Sequence, residues 1–308
     1  FVPPFALGGG LRSAAATSRA HRPGTRCGVL SVHAATIKDI CAREILDSRG
    51  NPTIEVDLST EDGTFRAAVP SGASTGEHEA LELRDGDVAR FAGKGVLKGI
   101  QNIHCNLLPA VLNMDPTAQE AVDQCLLDAD GTHDKSALGA NALLAVSLAV
   151  CKAGAASLNR PLYRHISELV RGSGLDQRGW ETRARGKLQM PVPWLNVING
   201  GAHAGNRLAV QEIMIGAVGA SSFAQALRVG TEVYHVLRSI IVARYGSLSA
   251  SVGDEGGFAP DLADVDEALQ LISEALHTSG HSDLVKIGLD VAASEMVLRD
   301  DIGVPLHP

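Results

Sequence analysis

Three separated stretches carry side chains that could do chemistry. Ser71-Gly72-Ala73-Ser74-Thr75-Gly76 combines small residues with hydroxyls, so its backbone can move and approach a ligand closely, as a lid does. Gly253-Asp254-Glu255-Gly256-Gly257 sets adjacent carboxylates in a confined loop. Such crowding pushes one pKa upward and suits a general acid working near neutral pH, although a solvated acidic turn has the same composition. Val285-Lys286-Ile287-Gly288-Leu289-Asp290 alternates like a strand and ends on a carboxylate. Asp290 there reads as a magnesium ligand at the mouth of a barrel or as the cap of a following helix. Together these stretches suit chemistry on a small phosphorylated acid held by divalent cations.

Two further positions join them. His203 sits in the loop Asn199-Gly200-Gly201-Ala202-His203-Ala204-Gly205, directly after a strand-like run, which on a barrel is the catalytic rim. A lone histidine is more often an ordinary surface or core residue, which leaves His203 by itself ambiguous. Gln211 and Glu212 interrupt the apolar run 208–215, and an ionisable group inside a buried strand costs several kcal/mol or so unless paired or functional. Period-two alternation facing Glu212 outward is the competing account.

The elements that must position these groups fit in a chain of 308 residues, of which 45% are hydrophobic. That is enough for one large or two ordinary domains. The formal charge of −8 argues against a nucleic-acid surface and leaves an anionic substrate in need of bound metal. The longest apolar stretch, 142–150, is too short for a membrane span and reads as a buried helix. Five cysteines, Cys27, Cys41, Cys105, Cys125 and Cys151, show no metal or disulfide spacing and read as reduced, mostly buried side chains.

Residues 1–36 hold Arg12, Arg19, Arg22 and Arg26 among Ser, Thr, Ala and Gly, with no acidic residue before Asp39. This is transit-peptide composition and points to a plastid, with the cytoplasm as the alternative. Phe1-Val2-Pro3-Pro4 resembles the start of a transit peptide exposed after signal cleavage in algae with complex plastids.

Residues 37–170 then read as an α+β domain: a hairpin of 53–58 and 65–69, a charged helix-friendly stretch 77–84, and several helices, the longest from about Ser136. The glycine-rich stretch 171–188 reads as a linker. Short apolar runs alternating with amphipathic helices in 189–296 predict a parallel α/β sheet or the first part of a TIM-like barrel, leaving 297–308 as a tail.

Asp47-Ser48-Arg49-Gly50-Asn51-Pro52-Thr53, Val69-Pro70 followed by the 71–76 loop, Leu195-Asn196-Val197-Ile198-Asn199-Gly200-Gly201, the 253–257 loop and Lys286-Ile287-Gly288-Leu289-Asp290 together resemble the enolase family from about Ile37 to Glu295. The resemblance implies Mg²⁺-dependent dehydration of 2-phosphoglycerate to phosphoenolpyruvate in glycolysis, with two Mg²⁺ ions per complete site. The resemblance also implies the general scheme of that superfamily, a Lys or His base with one or two Mg²⁺ ions stabilising an enediolate. By motif, Ser74 corresponds to the lid serine that closes on the second Mg²⁺ and Asp290 to a ligand of the first. His203 and Gln211 line the substrate, Glu255 helps the 3-hydroxyl leave, and Glu212 stands beside it.

The resemblance further implies a homodimer through the 37–170 domain and neither nucleic acid nor membrane as partner. After Glu295 the sequence leaves the pattern, so the remaining two carboxylate ligands, the lysine base, a second lysine, and an Arg and a His of the phosphate region have no counterpart in 296–308. That predicts an enzyme by family whose 308-residue chain has negligible activity. The alternative is a catalytically inactive binding or dimerising subunit.

Overall fold

The computed structural model describes residues 35–72, 76, 78–172 and 188–295. The expectations for the leader, for Ser74, for nearly all of the linker and for the tail 297–308 lie outside the described residues.

The first domain opens with an antiparallel sheet in which β1 (Asp39–Leu46) pairs with β2 (Pro52–Thr60) and β2 with β3 (Gly63–Ala68). Alternation puts Ile40 and Ala42 of β1 and Ile54, Val56 and Leu58 of β2 on one buried face. The opposite face carries Arg43, Glu55, Asp57 and Arg66, whose ion pairs hold Asp57 well below the usual carboxylate range.

Helices cover the apolar face. Helix α1 (Leu97–Asn102) runs through a π-turn (Ile103–Leu107) into α2 (Leu108–Val111), followed by α3 (Gln119–Asp130), α4 (Ala140–Ser157) and α5 (Leu162–Gly172). Helix α3 stops because Gly131 takes φ 71°, and its N–H closes on the Leu127 carbonyl. Long and apolar enough to cross a membrane by composition, α4 instead buries Ala142, Val146, Ala149 and Val150 against the sheet, as its sequence led us to expect.

The stretch 77–84 forms no helix over its described residues. The N–H groups of Leu81 and Leu83 go to the Asp134 carbonyl and to Asn141 Oδ1, so tertiary partners take the hydrogen bonds a helix would need. Cys41 and Cys105 are exposed and Cys125 and Cys151 partly so, against the expectation of burial: the first two sit on solvent-facing positions of β1 and the π-turn.

The second domain has its own core and is built on β4 (Trp194–Asn199), β5 (Glu212–Gly216) and β6 (Lys286–Asp290), with helices α6 (Phe223–Tyr245) and α7 (Val265–Thr278) between β5 and β6. Ser222 caps α6 and Asp264 caps α7, each side chain accepting from the backbone N–H three residues on. Both pairings, β4 with β5 and β5 with β6, are antiparallel, in contrast to the parallel sheet predicted for these strands. The reason is the connection: the chain returns from β4 to β5 through a loop and reserves its helices for the crossing from β5 to β6, which leaves β4 and β6 pointing the same way. β4 also carries a bulge. Asn196 faces Met214 and Ile198 faces Ile213, so Val197 is an extra residue.

One face of this sheet (Leu195, Ile198, Ile213, Ile215, Ile287) packs into the domain core. The other face carries Trp194, Asn196, Asn199, Glu212, Met214, Gly216, Lys286, Gly288 and Asp290 by register.

Candidate active site

At one end of that second face the strands bring polar groups together. Asn199 ends β4, Glu212 begins β5 and Asp290 ends β6, and the three are direct cross-strand neighbours. Because β5 runs against the other two, its first residue reaches the rim where they finish. The run 208–215, read from sequence as one strand broken by Gln211 and Glu212, is strand only from Glu212. Glu212 thus starts the strand rather than interrupting it.

Two loops complete the rim. After β4 a short turn (Gly201–His203) points His203 Nδ1 at Glu212 Oε1 (3.5 Å) and Glu255 Oε2 (3.7 Å), with the imidazole only 10% exposed. The 253–257 loop is sewn to β4 by hydrogen bonds from Phe258 N to the Val197 carbonyl and from Asn199 N to the Phe258 carbonyl. Tyr234 of α6 stacks on the buried Phe258 ring at 4.4 Å and donates its hydroxyl to the Gly256 carbonyl at 2.7 Å. Asn196 Nδ2 then donates to Glu255 Oε2 at 3.2 Å.

Any side chain at Gly257 would have to displace two asparagines. A Cβ there would lie 2.5 Å from Asn199 Oδ1 and 2.8 Å from Asn196 Oδ1, so the bulge has turned both asparagines toward this loop.

The electrostatics follow from crowding. The carboxyl of Glu212 is pushed up to about 7, first by its hydrogen bond to Glu255, then by burial, then by the charges of Glu255 and Asp290. Glu255 moves down, because it accepts that bond, accepts from Asn196 and lies near the charges of His203 and Arg49. The two carboxyls are thus pushed in opposite directions, Glu212 toward keeping a proton and Glu255 toward giving its own up. The sequence led us to expect a carboxyl raised within the 253–257 loop; the carboxyl that rises is instead Glu212, 43 residues earlier in the chain, while Glu255 moves down.

Arg49 enters from the first domain. Asp47 accepts from the backbone N–H groups of Arg49 and Asn51, and this tight turn lets Arg49 Nη2 reach the carbonyls of Ser71 (2.9 Å) and Gly72 (3.1 Å). The motif 47–53 thus ties the start of the 71–76 stretch to the side of the site where Glu255 stands.

The structure places His203, Glu212 and Glu255 together, their ligand atoms within 4.8 Å of one another. Asp290 stands beside Glu212 but outside that group, exposed, with Oδ1 accepting from the Ala292 N–H. Gln211 is buried with its Oε1 lacking a hydrogen-bond partner, and its backbone carbonyl pairs with Gly200 N–H. Ser74 lies outside the described residues.

Asn196, Asn199, Arg49 and Tyr234 were not singled out by sequence reasoning. For the asparagines the signal was present, two amides in the apolar run of β4; for Tyr234 there was none. Of the eight buried side-chain atoms without a hydrogen-bond partner among the described residues, six belong to Asn196, Asn199, His203 and Gln211. Buried polar atoms left unpaired are costly, so their concentration marks a place prepared for a ligand.

The donor set also fits a hard divalent cation at the exposed Asp290 carboxylate. Three carboxylates share the rim, and the charges of Glu255 and Asp290 add to the hydrogen bond and the burial that raise Glu212.

Residues 37–166 match the model of the enolase N-terminal domain, and residues 187–306 match that of the enolase C-terminal TIM barrel domain. The small sheet with its helices and the strand-rim cluster are the parts those two matches cover, and on this ground the chain belongs to the enolase family, a family of lyases.

Proposed function

We propose that this site serves the Mg²⁺-dependent dehydration of 2-phosphoglycerate to phosphoenolpyruvate, and that the residues described here form its acid side. The observation that carries the reading is the meeting of Glu212 and Glu255 at the strand rim, with His203 on one side and Asp290 on the other. Expulsion of the 3-hydroxyl needs a proton delivered near neutral pH, and a carboxyl with a pKa of about 7 is matched to that task. Glu255, on a loop and with its side chain 39% exposed, is the member of the pair open to a substrate. Glu212, 14% exposed, acts as the reservoir. His203 and Gln211 border the substrate, and Asn196 and Tyr234 fix where Glu255 stands. When bound, Mg²⁺ supplies positive charge against the charge building on the substrate carboxylate, and Asp290 is the residue positioned to hold it.

Among the described residues of the second domain Lys286 is the only lysine. It starts β6, on the same face as Asp290 but four residues away, about 13 Å along the strand. It is too far from the acid pair to take a proton from the same small substrate. The 308-residue chain by itself is therefore expected to bind 2-phosphoglycerate in the presence of Mg²⁺ without turning it over. Calorimetric titration with and without Mg²⁺, together with the ultraviolet absorbance of phosphoenolpyruvate, tests both halves. Absence of Mg²⁺-dependent binding, or binding indifferent to Asp290→Asn and Glu255→Gln, refutes the assignment.

We further propose a homodimer through the first domain, to be checked by the mass of the species in solution. Import into a plastid by residues 1–36 is to be checked by the destination of a fluorescent fusion.

A further inference from the structure

We propose that the groove between α3 and α4 of the first domain is a docking site for an amphipathic helix of a partner protein, one that carries an acidic and a basic residue seven positions apart with leucines between them. None of the groove's residues belongs to the strand rim, and the inference does not depend on the dehydration reading.

The groove begins in the sequence. Each helix carries a Leu-Leu pair, Leu126-Leu127 on α3 and Leu143-Leu144 on α4. Successive helical residues point about 100° apart, so only one member of each pair can enter the core. Leu126 and Leu143 do so and are buried, whereas Leu127 and Leu144 stay exposed. The four line a cavity of about 380 Å³, bordered at one end by the small side chains of Ala80 and Ala140. A single exposed leucine is ordinary, but two that flank one cavity with charges at its ends mark an interaction site.

Charge selects the occupant. Asp123 and Ser147 lie at one end, since Gln119 Nε2 donates to Asp123 Oδ1 at 3.0 Å and to Ser147 Oγ at 3.2 Å. Lys135 lies at the other, one turn before Gly139, whose N–H bonds to the Lys135 carbonyl where α4 begins. Both charged residues line the cavity half-buried. Asp123 meets no cation among the described residues, and Lys135 Nζ has only the His133 carbonyl, at 3.5 Å. From Ala140 to Ser147 the helix advances seven residues, or about 10 Å. An incoming helix repeats that spacing at positions i and i+7 and presents i+3 and i+4 to the leucines. Glu at the first position and Lys at the last suit the incoming helix's own dipole. With Glu beside Lys135 and Lys over Asp123, that helix runs parallel to α4.

The test uses the full 308-residue chain and two labelled, end-blocked, alanine-based peptides of about 15 residues, read by fluorescence anisotropy. The first has Glu, then Leu three and four residues on and Lys seven residues on; the second has Lys in place of that Glu. The parent chain is expected to bind the first at least about tenfold more tightly, because the second sets like charge against Lys135. In Lys135→Glu the order is expected to invert, a result that general damage to the domain does not produce. Leu144→Asp, at a position 41% exposed and so tolerated by the fold, is expected to weaken both peptides at least about tenfold with circular dichroism unchanged. No binding of the first peptide, no inversion in Lys135→Glu, or binding indifferent to Leu144→Asp would each overturn the proposal. So would a fall in the mass of the species in solution on Leu144→Asp, which would give the groove to a second copy of the chain.

Discussion

Replacing Glu255 with Gln removes a neighbouring negative charge and turns the charged acceptor of the Glu212 hydrogen bond into a neutral amide, weakening two of the four causes that raise the Glu212 pKa; burial and Asp290 remain. The pKa is expected to fall from about 7 most of the way toward its ordinary 4.5. The sign of the stability effect follows from proton binding. A carboxyl whose folded pKa is raised contributes stability that is fully present below its unfolded value and is lost as pH climbs to the folded value. The parent chain therefore loses stability between about pH 4.5 and pH 7. A rise from 4.5 to about 7 corresponds to about 3 kcal/mol at roughly 1.4 kcal/mol per pH unit. Solvent reaches Glu255, which cuts the figure to about 1–2 kcal/mol. The opposite contribution of Glu255, whose own pKa is lowered, is lost only in more acid solution and stays out of this window. Urea unfolding in metal-free buffer between about pH 5 and pH 8, for the parent chain and Glu255→Gln side by side, measures the difference in slope. Carbon-13 titration of Glu212 reads the same proton directly. Equal slopes, or an ordinary pKa for Glu212 in the parent chain, would show that Glu255 does not raise Glu212.

Tyr234→Phe keeps the ring on Phe258 and deletes the bond to the Gly256 carbonyl, so a loss of about 1 kcal/mol is expected. Hydrogen exchange is expected to quicken at the Gly253 and Gly256 amides but not at Phe258, whose N–H is bonded to β4. Gly154→Ala on α4 would set a Cβ 2.4 Å from the Pro116 carbonyl oxygen, a backbone atom that cannot turn away. The overpacking, about 1–3 kcal/mol, outweighs the gain of up to about 1 kcal/mol in helix propensity, and thermal unfolding is expected at lower temperature. Asp264→Ala removes the cap bond to the Glu267 N–H and is expected to cost about 1 kcal/mol in urea unfolding.

Much of this was legible in the chain because the deciding patterns are local. Alternation in 53–58 marks the half-buried strand, and the turn Glu61-Asp62-Gly63 marks its hairpin. His203, Glu212 and Glu255 could be picked out one by one as polar groups in apolar or glycine-rich settings. What the sequence could not show was which carboxylate crowds which. The partner of Glu255 arrives from another strand, and neighbours in sequence are poor guides to neighbours across a sheet. Strand direction was hidden for a similar reason: the run of short apolar stretches is the same whether β5 runs with its neighbours or against them, and only the loop between 199 and 212 decides. The 77–84 stretch was misread because helix propensity yielded to hydrogen bonds from distant residues.

The extra residue at Val197 acts as a parity switch. Plain alternation would send Asn196 and Asn199 to opposite sides of β4, yet both oxygens arrive at Gly257 because one residue has been slipped between them. Deleting Val197, or inserting a single residue beside it, would swing one amide into the apolar layer and tilt a branched side chain toward the acid pair. The length of this short strand is thereby fixed in a way that its composition is not, and drift along it is confined to exchange of one side chain for another.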